Sequence, residues 1–134
     1  MSERERNREL AARAFDAFER GDVEGVNSVL DPEIEVVIAD GLANAGTWHG
    51  IDGFWESVST WLEAFDDYNI EVQGIETPDD DHVIVEARQR AKGRASGVPV
   101  ELTTYFLFEI HDGTSTRYEL HPSREDALAA VAAQ

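Results

Sequence analysis

The first third of the chain has apolar side chains at helical spacing. From about residue 3 to residue 20 they recur every three or four positions while charged residues fill the other face, which predicts an amphipathic helix. Gly21 ends this helix, and Asp22 is well placed to cap a second, short helix that Asp31-Pro32 ends. The two segments are expected to form a bent helix pair.

A third helix carries the largest apolar face of the chain. It is predicted to begin at Gly50 or Asp52 and to end near Asp66, with Trp55 beside its main stripe. The stripe itself consists of residues at helical spacing: Phe54, Val58, Trp61, Leu62 and Phe65. We expect a face of this size to cover the core of the protein.

The remaining segments alternate between apolar and polar residues, the period of half-buried strands. One strand is predicted at 34–38, before a loop from Asp40 to about Gly50. Four more are predicted: one that begins at Ile70, and others at 82–94, 100–110 and 116–120. A capping box at Ser123 then begins a short final helix. Helices followed by neighbouring strands predict an α+β fold with an antiparallel sheet, in one domain over residues 1–134.

Composition changes this picture mainly by exclusion. The chain has 28 Asp and Glu against 11 Lys and Arg, and this acidic balance, a formal net charge of −17, argues against a nucleic acid partner. Without Cys there is no disulfide, thiolate nucleophile or cysteine-based metal site. The N-terminus is charged where a signal peptide needs an apolar stretch, and no apolar run is long enough for a membrane span. We therefore expect a cytoplasmic protein without a membrane partner.

Strand parity predicts a pocket on the helix-facing side of the sheet. Gln89 and Thr104 have inward parity among apolar residues, and continuing the alternation of the first strand puts Asp40 at the pocket's mouth. Three tryptophans are expected nearby: Trp48, Trp55 and Trp61. Because such a pocket has few polar groups, it favours a small, mostly apolar molecule as the ligand.

Several short segments have a characteristic order and spacing. They are Gly-Asp-Val-Glu-Gly-Val at 21–26, Leu-Asp-Pro-Glu-Ile at 30–34, Trp-His-Gly at 48–50 and Arg-Tyr-Glu-Leu at 117–120. Over nearly the whole chain, this order resembles SnoaL-like proteins of the nuclear transport factor 2-like superfamily, which includes ketosteroid isomerases. The resemblance implies a cone-shaped α+β fold in which a strongly bent antiparallel sheet wraps a long helix and leaves a cavity. It implies an isomerase, cyclase, epoxide hydrolase or dehydratase, or else a binding protein without catalysis. The fold alone therefore does not determine which of these functions the protein has.

Only part of the ketosteroid isomerase machinery has a counterpart here. The resemblance implies a general-base Asp about ten residues before the Gly that opens the third helix, and Asp40 stands ten residues before Gly50. Ala14 occupies the place of those enzymes' first-helix Tyr, and Thr104 or Tyr105 that of their protonated Asp. Steroid isomerisation is therefore not expected. Epoxide hydrolysis is not expected either, because the arginines of the strand at 82–94 have outer parity.

Two residues are the candidates for catalysis. Desolvation at the rim of an apolar cavity would raise the pKa of Asp40 and make it a usable base, with His49 as a second acid or base. The alternative is that Asp40 is a solvated turn residue and His49 a loop residue.

Five residues are predicted to bind the ligand. Gln89, Thr104 and Tyr118 would orient it by hydrogen bonds, unless they only satisfy one another or the backbone. Trp48 and Trp55 would contact it, with Trp55 favoured for the cavity wall or for a contact between subunits. No metal site is predicted, because His82, His111 and His121 are far apart in sequence and have no ligand spacing. No organic cofactor is expected.

The outer face of the sheet offers a different function. Arg88, Arg90, Lys92 and Arg94 form a basic stripe there, with Tyr105 and Leu107 at the same parity on the next strand. Ion pairs with glutamates of neighbouring strands are expected, and an exposed face of this kind predicts a homodimer. Three interpretations thus stay open: an acid-base enzyme, a binding protein that uses the cavity, and an interaction module whose cavity is filled by its own side chains.

Overall fold

The computed structural model describes residues 2–42 and 45–134. Within them are four helices: α1 (Glu3–Glu19), α2 (Val23–Asn27), α3 (Gly50–Glu63) and α4 (Arg124–Ala133). The same residues form six strands: β1 (Leu30–Ile38), β2 (Gly46–His49), β3 (Phe65–Glu76), β4 (His82–Gly93), β5 (Pro99–His111) and β6 (Thr114–His121). The predicted α+β class is confirmed.

The strands form a single sheet in the order β2-β1-β6-β5-β4-β3. Neighbouring strands are antiparallel except β1 and β6, which are parallel, with Val36 opposite Tyr118. This one pairing departs from the predicted antiparallel sheet, because the last strand returns to the first from the far end of the chain. The sheet is curved and does not close, so one face is concave and takes the helices.

Three boundaries differ from the sequence prediction. The segment expected to be a loop before α3 contains β2, whose Trp48 pairs with Val36. Leu30 begins β1 instead of ending the second helix. α3 ends at Glu63, and β3 begins at Phe65, five residues before the predicted start at Ile70. The last difference brings Tyr68 into the sheet.

The core lies between the concave face and the helices α1 and α3. Inward residues of the strands are fully buried, as their parity predicts: Ile34, Val36, Val83, Val85 and Ala87 are each 0% exposed. From α1, Phe15 packs edge to face on Phe106, with ring centroids 5.1 Å apart. The burial of these apolar side chains is what keeps the sheet bent around the helices.

The convex face of the sheet is partly covered by α4. Ser123 caps this helix by accepting a hydrogen bond from the backbone of Asp126, as predicted. Ala127 of the helix then packs on Ile84 and Leu107, and Leu107 is only 1% exposed. The interpretation of Leu107 as part of an exposed surface was therefore wrong, because outer parity is compatible with burial when a helix covers the face.

The rest of the convex face carries ion pairs between strands. Arg88 and Arg90 both contact Glu101 of β5, and Arg94 contacts Asp66 at 3.1 Å. These pairs are exposed, so each contributes little to stability. The homodimer through this face stays a prediction, restricted to the surface that α4 leaves open.

Within residues 2–42 and 45–134, no helix has both the length and the apolar character that a membrane span requires.

The packing of α4 is testable at Leu107. Substitution Leu107→Ala removes a fully buried side chain and should lower the free energy of unfolding by about 2–5 kcal/mol. Val72→Ala is the control, because Val72 is 40% exposed and its truncation should cost much less. Urea denaturation of both variants measures the difference, and equal small losses would show that α4 does not cover Leu107.

Candidate functional site

A cavity of about 80 Å³ lies between the concave face of the sheet and the helices. Its wall on α3 is the predicted apolar stripe, because positions three, four and seven apart share one face of a helix. Eighteen residues line it: Ala14, Phe15, Phe18, Val26, Leu30, Ile38, Phe54, Ser57, Val58, Trp61, Leu62, Tyr68, Ile70, Gln89, Phe106, Phe108, Tyr118 and Leu120. Most of this surface is therefore apolar.

A hydrogen-bonded chain occupies one side of the cavity. The Tyr68 hydroxyl donates to Gln89 Oε1 at 2.5 Å, and Gln89 Nε2 donates to Thr104 Oγ1 at 2.7 Å. Gln89 is 4% exposed and Thr104 is fully buried. The amide is thus held at both ends, which fixes its orientation in a region where an unpaired polar group would be costly.

Tyr118 is the second tyrosine of the lining. Its ring packs against Phe54 at 5.3 Å and Phe108 at 5.2 Å between centroids, and it is only 8% exposed. Its hydroxyl forms no hydrogen bond with another residue in the described part of the chain. Burial raises the pKa of Tyr118 well above its ordinary value, and the nearby Tyr68 raises it further. The phenol therefore stays protonated and able to donate.

Trp61 lines the cavity beside Phe65, with ring centroids 4.6 Å apart. Its indole Nε1 is buried and has no hydrogen-bond partner among residues 2–42 and 45–134. An unpaired buried donor costs about 1–3 kcal/mol. This side chain therefore has a hydrogen bond to gain.

The lining contains no carboxylate, imidazole, guanidinium or ammonium group among the described residues. Its titratable members are the two tyrosines, and burial also raises the pKa of Tyr68. At neutral pH the cavity surface is therefore uncharged. The described residues also contain no cluster of three or more His, Cys, Asp or Glu that could hold a metal ion.

The two catalytic candidates lie outside this cavity. β1 ends at Ile38, and the chain enters a turn in which the Leu42 amide donates to Ala39, so the strand parity that placed Asp40 inward no longer applies. Asp40 is exposed and does not line the cavity. His49 is exposed as well, at 3.5 Å from Glu33. The structure brings neither residue to the ligand candidates, and their catalytic roles stay predictions.

The two tryptophan candidates support the helix but do not line the cavity. Trp48 packs on α3 at Gly53, where an added Cβ would lie 3.1 Å from the Trp48 Cβ. Trp55 donates its indole hydrogen to Asn27 Oδ1 at 2.6 Å, which joins α3 to α2. One residue along a helix turns the side chain by about 100°, so Trp55 points away while Phe54 points in.

The three residues predicted to form hydrogen bonds to the ligand are Gln89, Thr104 and Tyr118, and they lie at the cavity. Gln89 and Tyr118 line the cavity, and Thr104 is bound to Gln89. Tyr68 was not among the predicted site residues, because β3 was expected to begin at Ile70. The sequence did contain a signal for Tyr68, because it lies two positions before the inward-facing Ile70 and side chains two apart on a strand share a face. Trp61, and not Trp55, is the tryptophan that lines the cavity wall. Its position in the apolar stripe of α3 could have indicated this from the sequence.

Comparison with known proteins gives a consistent result. The family model of the SnoaL-like domain matches residues 11–118. No curated protein sequence matches significantly.

Solved structures share the fold at low sequence identity. A nuclear transport factor 2-like protein from Burkholderia thailandensis has a TM-score of 0.79 and 22% identity, covering 100% of this chain and 98% of that one. A protein named as a SnoaL-like polyketide cyclase from Jannaschia sp. CCS1 has 0.76 and 19%, covering 96% and 93%. TerC, co-crystallised with polyporic acid, has 0.76 and 20%, covering 96% and 99%. At these identities the similarity shows the fold alone.

The hydrogen-bonded chain is testable at its centre. Gln89→Leu keeps the approximate volume but leaves the Tyr68 and Thr104 hydroxyls without their partner, which should lower the free energy of unfolding by about 1–3 kcal/mol. Gln73→Leu is the matched control, since Gln73 is exposed and bonds only to Glu71. Denaturant unfolding compares the two, and an equal effect at both positions would contradict the assigned chain.

Proposed function

This chain belongs to the SnoaL-like domain family, and we propose that it binds a small, neutral and largely apolar molecule in the cavity between α3 and the sheet. The observation that carries the proposal is the lining itself. Aromatic and aliphatic side chains form most of it, and its polar groups are hydroxyls, an amide and an indole. This composition is that of a small-molecule site.

The absence of charge in the described lining selects against ionic ligands. A carboxylate or ammonium group that enters an apolar site loses hydration worth several kcal/mol, which only a partner of opposite charge recovers. None of the described lining residues supplies such a partner. The chain's net charge of −17 further disfavours anions at the surface.

The size of the cavity limits the ligand to about one ring. An engineered apolar cavity of about 150 Å³ binds benzene, so a space of about 80 Å³ is tight for one ring in this conformation. Half-buried residues of the lining can widen it by changing rotamer: Phe18, Val58, Trp61 and Leu62. We expect the ligand to enter between α1 and the end of α3, where these side chains reach the surface.

Binding is supported better than acid-base catalysis or a purely structural role. An isomerase, cyclase or dehydratase that abstracts a proton needs a base within hydrogen-bond reach of its substrate, and the two candidates, Asp40 and His49, lie outside the lining. The third interpretation, an interaction module, requires that side chains fill the cavity. It is disfavoured because space remains between Phe54, Phe106 and Tyr118. TerC, which shares the fold, was co-crystallised with polyporic acid, so at least one protein of this fold has been crystallised with a small molecule.

The proposal is testable with three ligands that share one ring. Methylenecyclopentane is neutral, cyclopentanecarboxylate is an anion and cyclopentylammonium is a cation. The neutral molecule should bind at least about tenfold more tightly than either ion, because the ions lose hydration without gaining a partner. Chemical-shift titration of the protein in ¹H–¹⁵N NMR spectra measures the three dissociation constants, and shifts of the Trp61 indole locate the site.

Three variants separate this site from other surfaces. Val58→Phe places a larger side chain in the cavity lining and should lower the affinity for methylenecyclopentane about tenfold or more. Val72→Phe, on the exposed part of β3, should not change this affinity. Asp40→Asn should also leave binding unchanged. Binding that is equally strong for the ions, or insensitive to Val58→Phe, would contradict the proposal.

A further inference from the structure

We propose that the Tyr118 hydroxyl selects ligands that carry a hydrogen-bond acceptor, such as a ketone, ester or ether oxygen, on their apolar body. This inference rests on the proposed function, because it concerns the same cavity. It adds the chemical group by which a ligand is recognised, and the residue that recognises it.

Among the hydroxyls of the described lining, those of Ser57, Tyr68 and Tyr118, only Tyr118 has a proton that no described residue accepts. The Tyr68 proton is used by Gln89 Oε1, and one Gln89 amide hydrogen is used by Thr104. Ser57 is also engaged, since its hydroxyl donates to the backbone oxygen of Phe54 at 2.6 Å. The Tyr118 hydroxyl forms no such hydrogen bond within residues 2–42 and 45–134. Its proton is therefore available to a ligand.

The protonation state fits a donor role. Burial and the neighbouring Tyr68 raise the pKa of Tyr118, so the group stays a neutral phenol across the physiological range. A neutral phenol can donate to an acceptor oxygen without introducing a charge into the apolar site. It does not act as a base there.

The surroundings hold the donor in one place. The Tyr118 ring is packed against Phe54, Phe106 and Phe108, at 5.3, 6.0 and 5.2 Å between ring centroids. A side chain held in this way loses little further entropy when it binds. In an apolar site a hydrogen bond is stronger than in water, and an apolar ligand group placed against the Tyr118 hydroxyl leaves it unpaired.

Trp61 offers another donor that is unpaired among the described residues. Its indole Nε1 is buried, and the ring lies next to Phe65 at the C-terminal end of α3. A ligand oxygen that bonds only to Trp61 would be insensitive to the substitution Tyr118→Phe, so this variant distinguishes the two donors.

A pair of isosteric ligands tests the inference. Cyclopentanone and methylenecyclopentane have the same ring, and differ in carrying C=O or C=CH₂. The ratio of their two dissociation constants is measured by NMR titration for the wild-type protein and for Tyr118→Phe. In the variant the affinity for cyclopentanone should fall about three- to tenfold, while methylenecyclopentane should bind as tightly as before or more tightly.

Three controls show whether a change in affinity comes from the loss of the Tyr118 hydroxyl and not from misfolding or titration. Tyr105→Phe removes a hydroxyl on the convex face, beside α4, and should leave both affinities unchanged. Thermal unfolding of Tyr118→Phe shows that the variant folds. The wild-type affinity for cyclopentanone should be constant between about pH 6 and 9, because the phenol does not titrate there.

The outcomes separate this inference from the function on which it rests. If methylenecyclopentane binds and Tyr118→Phe changes both affinities by the same factor, or neither, the selection role of Tyr118 is overturned while the binding function stands. If neither ring binds the folded wild-type protein, both proposals are overturned.

Discussion

The structure depends on the fit between the apolar stripe of α3 and the concave face of the sheet. Phe54, Val58 and Trp61 face strands whose inward residues are fully buried, and their burial is the main force that keeps the sheet bent. The contact is not complete, because a helix is straight and a bent sheet is not. A cavity of about 80 Å³ remains along the seam. The feature that stabilises the fold thus also creates the space for a ligand.

The distribution of charge follows from the same constraint. With 28 acidic residues against 11 Lys and Arg, the chain keeps its charges out of the described cavity lining. The buried carboxylate among the described residues, Glu119, is paired with Arg117 and His121. The polar groups of the cavity are neutral, and Gln89 forms hydrogen bonds with both Tyr68 and Thr104. Tyr118 is left over because its ring is fixed by three phenylalanines in a position that offers its hydroxyl no described partner. Under the proposed function, the unpaired donors of Tyr118 and Trp61 select ligands by hydrogen bonding and not by charge.

Sequence reasoning succeeded where side-chain periodicity is set by a regular element. The stripe of α3, the inward parity of Gln89 and the cap at Ser123 each follow from local geometry that tertiary contacts do not alter. It failed where an element ends. Asp40 was placed by extending the parity of β1 past Ile38, and Tyr68 was omitted because β3 starts at Phe65. Where a strand begins or stops depends on its pairing partners, Leu120 for the end of β1 and Gly93 for the start of β3, which are distant in sequence. The burial of Leu107 depended in the same way on the docking of α4.

Diffraction from crystals pressurised with xenon shows whether an accessible apolar space lies between α3 and the sheet. Xenon enters apolar cavities and is located by its anomalous scattering, without any assumption about the natural ligand. We expect a xenon atom in contact with Val58, Phe106 and Tyr118. If these side chains fill the space and no xenon binds there, the cavity and the ligand site proposed in it are both ruled out.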